Sequence, residues 1–377
     1  MRRLVSSQKE EEGMGVTPIV DLVATQFPKM IITQHLPAQQ QKQLAAAAVE
    51  PKLPEASSAT TDIGRILRPL IAQFDADLNY TGAKSGDDLE GLLRGMHEQA
   101  LKIGIPYVEG SHSWYSFNVG VYYAHLCYPS HPLDVRVYTG IYTWLAVLVD
   151  DGACKDPKLW QDFMIRFQTG LEQISPLAQA WADYLRLSYK YYSPIVANFI
   201  ITSSLNFTNA NALEGSELPR MSRTKGGKNW PYYLRDKDGV SEAYVWMTFP
   251  KAMYPDISMY MEAIPDMNKY ISFTNDILSF YKEEKAGEKD NYMHNRAFYS
   301  GKDIYTVFGE VIQEDVAAHH RIEVVLCGRE PYAKAWHEHA MGFVAMHKAM
   351  ERYRLRELGL GERYTDALGR MTSTRQR

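Results

Sequence analysis

Two adjacent acids, Asp150 and Asp151, close an almost unbroken apolar run, "IYTWLAVLV" over Ile141–Val149. Carboxylates at the C-terminal end of a helix face the negative pole of its macrodipole, and two side by side also repel each other. A bound divalent cation relieves both problems. The plainer alternative is a solvated helix end followed by the loop "GACKDP", with Lys155 and Asp156 as surface charges.

A second set lies downstream in "NDILSFYKEE". Asn275, Ser279 and Glu283 recur at i, i+4 and i+8, which stacks an amide, a hydroxyl and a carboxylate on one helix face. Ile277, Leu278 and Phe280 point to other faces and can hold that helix in the core. An all-oxygen set is what hard cations such as Mg²⁺ prefer. Alone, the same spacing describes the polar stripe of an ordinary amphipathic helix; beside the acidic pair, metal chemistry is the better account.

Magnesium held by few protein ligands completes its shell with water and phosphate oxygens, so cations that hold phosphate are the next requirement. Lys282 precedes Glu283, Arg235 lies in "WPYYLRDKDG", and Arg352 and Tyr353 stand in "MERYRLREL". Guanidinium groups grip phosphate through two parallel hydrogen bonds. Any one of these residues, taken singly, is equally an ordinary solvated charge.

The elements that must position these residues read as helix after helix. From Ile63, apolar residues recur at helical spacing, and Asp62 is a suitable N-cap. Asp87 opens a helix that stops at Gly104, and a helix from Pro132 ends at the acidic pair. Further helices are expected over 157–174, 176–206, 241–262, 264–285, 301–326 and 330–358, with 213–240 as a loop rich in Gly, Pro and mixed charge. No hairpin signal or period-2 strand competes. The fold class is all-α, a single helical domain over 61–360 between a flexible leader over 1–60 and a flexible tail over 361–377.

Composition bounds the rest. A formal net charge of −4 over 377 residues argues against nucleic acid as the main partner. Cys127, Cys154 and Cys327 are too few and too scattered for a disulfide framework or zinc cluster. No run approaches the roughly 18 apolar residues of a membrane span, and "MRRLVSSQKEEEG" lacks the apolar core of a secretory signal. A cytoplasmic setting follows as the expectation. The 25 Tyr, 13 Phe and 7 Trp fit either a tightly packed core or a cavity walled by π-faces.

Acidic pair, Arg, "ND-x-x-S-x-x-x-E" with Lys before the Glu, and a terminal Arg-Tyr together resemble the class I terpene cyclases. "NDILSFYKE", "RYRL" and "WPYYLR" are most similar to the fungal trichodiene synthase family, which includes longiborneol-type cyclases; the likeness spans about residues 90–358. It implies a helical bundle around an apolar central cavity and Mg²⁺-dependent ionisation and cyclisation of farnesyl diphosphate to a cyclic sesquiterpene. That activity is a carbon–oxygen lyase acting on a phosphate. It implies three Mg²⁺ ions, with Asp150 ligating two and Asn275, Ser279 and Glu283 the third. Arg235, Lys282, Arg352 and Tyr353 would bind the diphosphate, and Asp151 would form a salt bridge to Arg352 in a closed state. A homodimer is compatible with the family.

Two departures stand out. The usual Asp-Asp-x-x-Asp has Cys154 at its last position, with Asp156 two residues later, which puts Asp156 in doubt and leaves Asp150. The usual Asp-Arg-Arg-Tyr is here Met350-Glu351-Arg352-Tyr353. The rivals are a prenyl chain-elongating diphosphate synthase, which typically carries two Asp-rich motifs, and a catalytically silent isoprenoid-binding scaffold, which has no need of the whole set. Segments 213–234 and 284–292 are the expected lids, and Trp114, Tyr115, Tyr142, Trp144, Tyr244 and Trp246 the candidate cavity rings. His112, His125, His319 and His320 have no assigned role.

Overall fold

A computed structural model describes residues 62–363; the expected leader and nearly all of the expected tail lie outside the described residues. Within this range the chain is helical and carries no strand. The helices are α1 (Asp62–Asp77), α2 (Leu89–Ile103), α3 (His112–Leu126), α4 (Leu133–Ala153), α5 (Pro157–Gln161), α6 (Phe163–Thr169) and α7 (Pro176–Tyr191). They continue as α8 (Pro194–Ser216), α9 (Trp230–Asp238), α10 (Ser241–Met247), α11 (Ile264–Ala286), α12 (Tyr292–Ser300), α13 (Ile304–Leu326) and α14 (Tyr332–Ala349). No described helix is long and apolar enough to cross a membrane.

Local chemistry explains most boundaries. The Asp88 carboxylate accepts the Gly91 N–H at 2.8 Å and caps α2, one residue beyond the expected Asp87. Gly104 ends the helix at φ 75°, in the left-handed region that costs glycine nothing. The expected helix over 176–206 is two helices, because Pro194 lacks the N–H that would continue α7 and sits instead in the first turn of α8. The expectation of a helix over 241–262 fails after Met247, where Pro250 and Pro255 leave only short 3₁₀ turns over Ile257–Met259 and Met261–Ala263. The final expected helix ends at Ala349, and 3₁₀ turns over Glu351–Tyr353 and Leu355–Leu358 follow.

Two helices beside the acidic pair run against expectation. From Ser116 to Leu126 every residue of α3 is buried, so this stretch has no polar face and no periodic contrast to mark it. The supposed loop over 213–240 contains the end of α8 and the whole of α9; Pro231 occupies the first turn of α9, where a missing N–H is harmless.

The placement of α4 depends on small residues. A Cβ on Gly120 of α3 would lie 2.2 Å from the Gly140 carbonyl oxygen of α4, so these two backbones touch directly. Near the other end of α4, a Cβ on Gly215 of α8 would lie 2.8 Å from Cys154 Cα. These close approaches clamp α4 between α3 and α8 and set the direction in which its last turn faces. Helices α3, α4, α8, α10, α11 and α14 pack as neighbours around the cavity described below. The core is largely aromatic: Trp144, Trp181, Trp336, Tyr122, Tyr138 and Tyr142 are among the largest fully buried side chains.

Candidate active site

A cavity of about 580 Å³ opens between these helices, and all nine residues singled out by sequence line it: Asp150, Asp151, Arg235, Asn275, Ser279, Lys282, Glu283, Arg352 and Tyr353. Three elements grade along their length in the same sense. On α4 the lining runs from Thr143, Ala146 and Val147 to Asp150; on α11, from Ile271 through Asn275 and Ser279 to Glu283; after Phe343 and Met346 of α14 come Arg352 and Tyr353. At 1.5 Å per residue, Ile271 and Glu283 stand about 18 Å apart along the helix. One end of the cavity is therefore apolar and the other charged.

Helix α4 continues three residues past the first acid to Ala153, so Asp150 and Asp151 occupy its last turn. The Asp150 carboxyl is raised from its ordinary 3.8 to about 6, first by burial among surrounding protein and next by the like charge of Asp151. Its side chain is nevertheless open to the cavity space. Arg352, Arg235 and Lys282 all act on it in the opposite sense. Residues distant in sequence are therefore electrostatic neighbours of this one carboxylate.

On the facing wall, Asn275 Oδ1 accepts from Arg235 Nη2 at 3.3 Å and its Nδ2 lies 3.0 Å from His347 Nε2. Glu283 accepts from Asn291 Nδ2 at 3.0 Å and lies 3.2 Å from Lys282 Nζ. Ser279 is buried on the same stripe between them. Among the described residues, no three His, Cys, Asp or Glu side chains form a metal-holding group. The oxygen set reaches hard-cation character only by counting an amide and a hydroxyl, and it leaves room for phosphate and water oxygens.

Arg235 is placed differently from the other cations. Its Nε donates to both oxygens of Asp276 at 2.8 and 2.9 Å, Nη1 to Asp238 at 3.1 Å, and Nη2 to the Ser272 carbonyl at 3.0 Å as well as to Asn275. Burial opposes its charge, but Asp276 and Asp238 outweigh that and hold the guanidinium above its usual range. The expected diphosphate contact of Arg235 therefore competes with protein partners in this structure. Arg352 is exposed and has no carboxylate partner among the described residues, which leaves its fork available to an anion. Tyr353 is buried, its ring 4.2 Å from that of His347.

The remaining acids separate cleanly. Asp151 lies 2.6 Å from His112 Nε2, so its partner here is the first residue of α3 and not Arg352. Asp156 accepts from Leu159 N at 3.4 Å as the N-cap of α5. Cys154 packs against α8, its Sγ 3.8 Å from the Asn211 carbonyl.

Several lining residues escaped the sequence. Glu214 of α8, raised to about 7 by burial and then by Asp150, shares a hydrogen bond with Asp238. Of the expected rings only Tyr244 lines the cavity, and it is joined by Tyr123, Phe207 and Phe343. Tyr142 instead bonds Ser204 at 2.6 Å, and Trp144 donates to the Ser113 carbonyl at 3.1 Å. The usable signal was the spacing Val119–Tyr123 and Phe343–Met346, each on one face of its helix. The expected lid 284–292 borders the opening through Glu288, Lys289, Asp290 and Asn291.

Residues 113–371 match the family described as trichodiene synthase (TRI5). Longiborneol synthase CLM1 of Gibberella zeae is 40% identical over 320 residues, which cover 83% of this chain and 94% of that one. Terpene synthase BipA of Cochliobolus sativus is 40% identical over 300 residues, 79% of this chain and 90% of its own. Among solved structures, a hedycaryol synthase in complex with nerolidol superposes with a TM-score of 0.55 at 14% identity, over 70% of this chain and 95% of that one, a likeness of fold.

Proposed function

The chain belongs to the trichodiene synthase family, and from that premise we propose that it is a sesquiterpene synthase. Its substrate is farnesyl diphosphate, its reaction ionisation and cyclisation to a cyclic sesquiterpene with release of diphosphate, and its class a carbon–oxygen lyase acting on phosphates. Residues 61–360 form the catalytic unit. What supports this is one relationship: Asp150 shares a cavity, apolar at its other end, with the Asn275/Ser279/Glu283 stripe and with Lys282 and Arg352.

The donor set fits Mg²⁺. Two neighbouring carboxylates, one of them raised by burial and by the other's like charge, share a cavity with an amide, a hydroxyl and a third carboxylate. Asp150, Asn275, Ser279 and Glu283 would hold the ions; bound Mg²⁺ supplies Lewis-acid stabilisation of the departing diphosphate. Arg352, Lys282 and the Tyr353 hydroxyl bind and orient that diphosphate at the charged end, lowering the barrier to ionisation by meeting charge where it develops. Arg235 acts chiefly by its field on Asp150 and by steadying Asn275.

The carbocation left behind lies toward the apolar end. Tyr123, Tyr244, Phe207 and Phe343 exclude water there and offer π-faces that stabilise positive charge by about 0.5–2 kcal/mol each. No protein base is required, since diphosphate itself can take the final proton.

The test is incubation with Mg²⁺ and C10, C15 or C20 diphosphates, followed by gas chromatography. A cyclic hydrocarbon from the C15 substrate is expected. Longer linear diphosphates would identify a chain-elongating synthase, and binding without turnover a silent scaffold.

A further inference from the structure

His347 has no place in the reaction described above, yet it is fully buried in the wall behind Asn275. Its Nδ1 lies 2.8 Å from the Phe343 carbonyl oxygen, an atom that can only accept. The proton must therefore be on Nδ1. Arg235, which can only donate, lies 3.3 Å from Asn275 Oδ1, so the donor end of that amide is turned toward the other ring nitrogen. Nε2 faces Asn275 Nδ2 at 3.0 Å, and a donor at that distance requires a bare Nε2 that accepts, which with Nδ1–H defines the neutral tautomer.

An asparagine amide has two ends of similar size, and only the oxygen can ligate a cation. Rotating the Asn275 amide by half a turn would set its oxygen against the His347 lone pair. The same rotation would set its N–H₂ against the Arg235 guanidinium, which now donates to Oδ1 at 3.3 Å. Both neighbours reject the rotated state. We propose that His347 is a positioning residue that selects the amide orientation of Asn275 and thereby presents its oxygen to a divalent cation. The assignment of Asn275 as a ligand rests on the sesquiterpene synthase reading; the orientation of the amide does not.

The clamp is tied to the diphosphate end. The His347 ring is held edge-on by Phe343 at 4.6 Å and covered by Tyr353 at 4.2 Å. Phe343 supplies the carbonyl that fixes the tautomer, and Tyr353 follows Arg352. The residues that meet the anion thus brace the ring that orients the amide. Outer partners of metal ligands typically change affinity by about 10–100-fold when removed.

The experiment combines three readouts on the full chain. Calorimetric titration of Mg²⁺ in the presence of inorganic diphosphate should show binding weakened roughly 10–100-fold in His347→Phe, with unchanged circular dichroism. His347→Gln, whose amide oxygen can accept in place of Nε2, should recover most of that loss, and it carries the test if the Phe variant does not fold. In an Asn275→Asp background, where both ends of the side chain are oxygens, the penalty of His347→Phe should vanish or reverse. Nitrogen NMR of ¹⁵N-histidine-labelled protein without metal should show His347 protonated on Nδ1 at neutral pH. Undiminished Mg²⁺ binding in His347→Phe, a penalty that persists in the Asn275→Asp background, or a proton on Nε2 would each overturn the proposal. If the parent protein binds no Mg²⁺ with diphosphate, the metal reading falls, while the tautomer measurement still judges the amide clamp.

Discussion

Arg235 Nε sits between the two carboxylate oxygens of Asp276, at 2.8 and 2.9 Å, and both side chains are about nine-tenths buried. Asp276 immediately follows Asn275, the proposed ligand, and Arg235 reaches both. Burial raises Asp276 to about 6 even with Arg235 pulling the other way, which still leaves the carboxylate charged at neutral pH. Removing Asp276 strips the buried guanidinium of its two shortest side-chain bonds and leaves Asp238 to balance its charge. Asp276→Ala should cost about 3–5 kcal/mol in urea unfolding, and the double variant Arg235→Met/Asp276→Leu much less. A loss below about 1 kcal/mol for the single variant would show the pair to be well solvated.

Asp150→Ala and Asn275→Ala should each reduce turnover on the order of 10²–10³-fold, the cost of losing one preorganised electrostatic stabiliser, with circular dichroism unchanged. Asp156→Ala should leave turnover near normal, because that side chain caps α5. Near-normal turnover in either of the first two variants removes that residue from the site.

Glu214 supplies the pH test. Its carboxyl rises from an ordinary 4.5 to about 7 through burial and the field of Asp150, with Arg235 and Asp238 opposing. The folded state thus holds a proton that the unfolded state releases near pH 4.5. Its contribution to stability is fully present below pH 4.5 and is lost as pH rises through 7. The melting temperature of metal-free protein should fall over that window, and Glu214→Gln should flatten the fall. An identical slope in the variant would contradict the assignment.

The rings divide by what they touch. Tyr244→Leu and Phe343→Leu change the cavity wall and should alter the product distribution by gas chromatography. Tyr142→Phe deletes only a buried hydrogen bond to Ser204; it should cost about 1 kcal/mol of stability and leave the products as they were. A changed product profile from Tyr142→Phe would place that ring in contact with substrate.

The half of the cavity lined by Asp150 and the Asn275/Ser279/Glu283 stripe was legible in the sequence because its logic is local. Asn275, Ser279 and Glu283 are related by helical periodicity, and an acidic pair at the end of an apolar run is conspicuous without any tertiary knowledge. What was hidden depends on contacts across the chain. From Ser116 to Leu126 helix α3 is buried on every side and so shows no periodic face, which concealed Tyr123. Cutting α8 at 206 instead of Ser216 concealed Glu214. Arg235 read as a free cation because its partner Asp276 lies 41 residues away. The meeting of His347 with Asn275 spans 72 residues, and no spacing rule reports it.

The central claim, that one cluster of ions joins Asp150 to the Asn275/Ser279/Glu283 stripe, is tested most directly by anomalous diffraction from crystals grown with Mn²⁺ and inorganic diphosphate. The account predicts metal peaks between Asp150 and Glu283, with diphosphate oxygens against Arg352 and Lys282. Diphosphate bound with no metal near Asp150, or metal held only by the exposed acids Glu288 and Asp290, would contradict it.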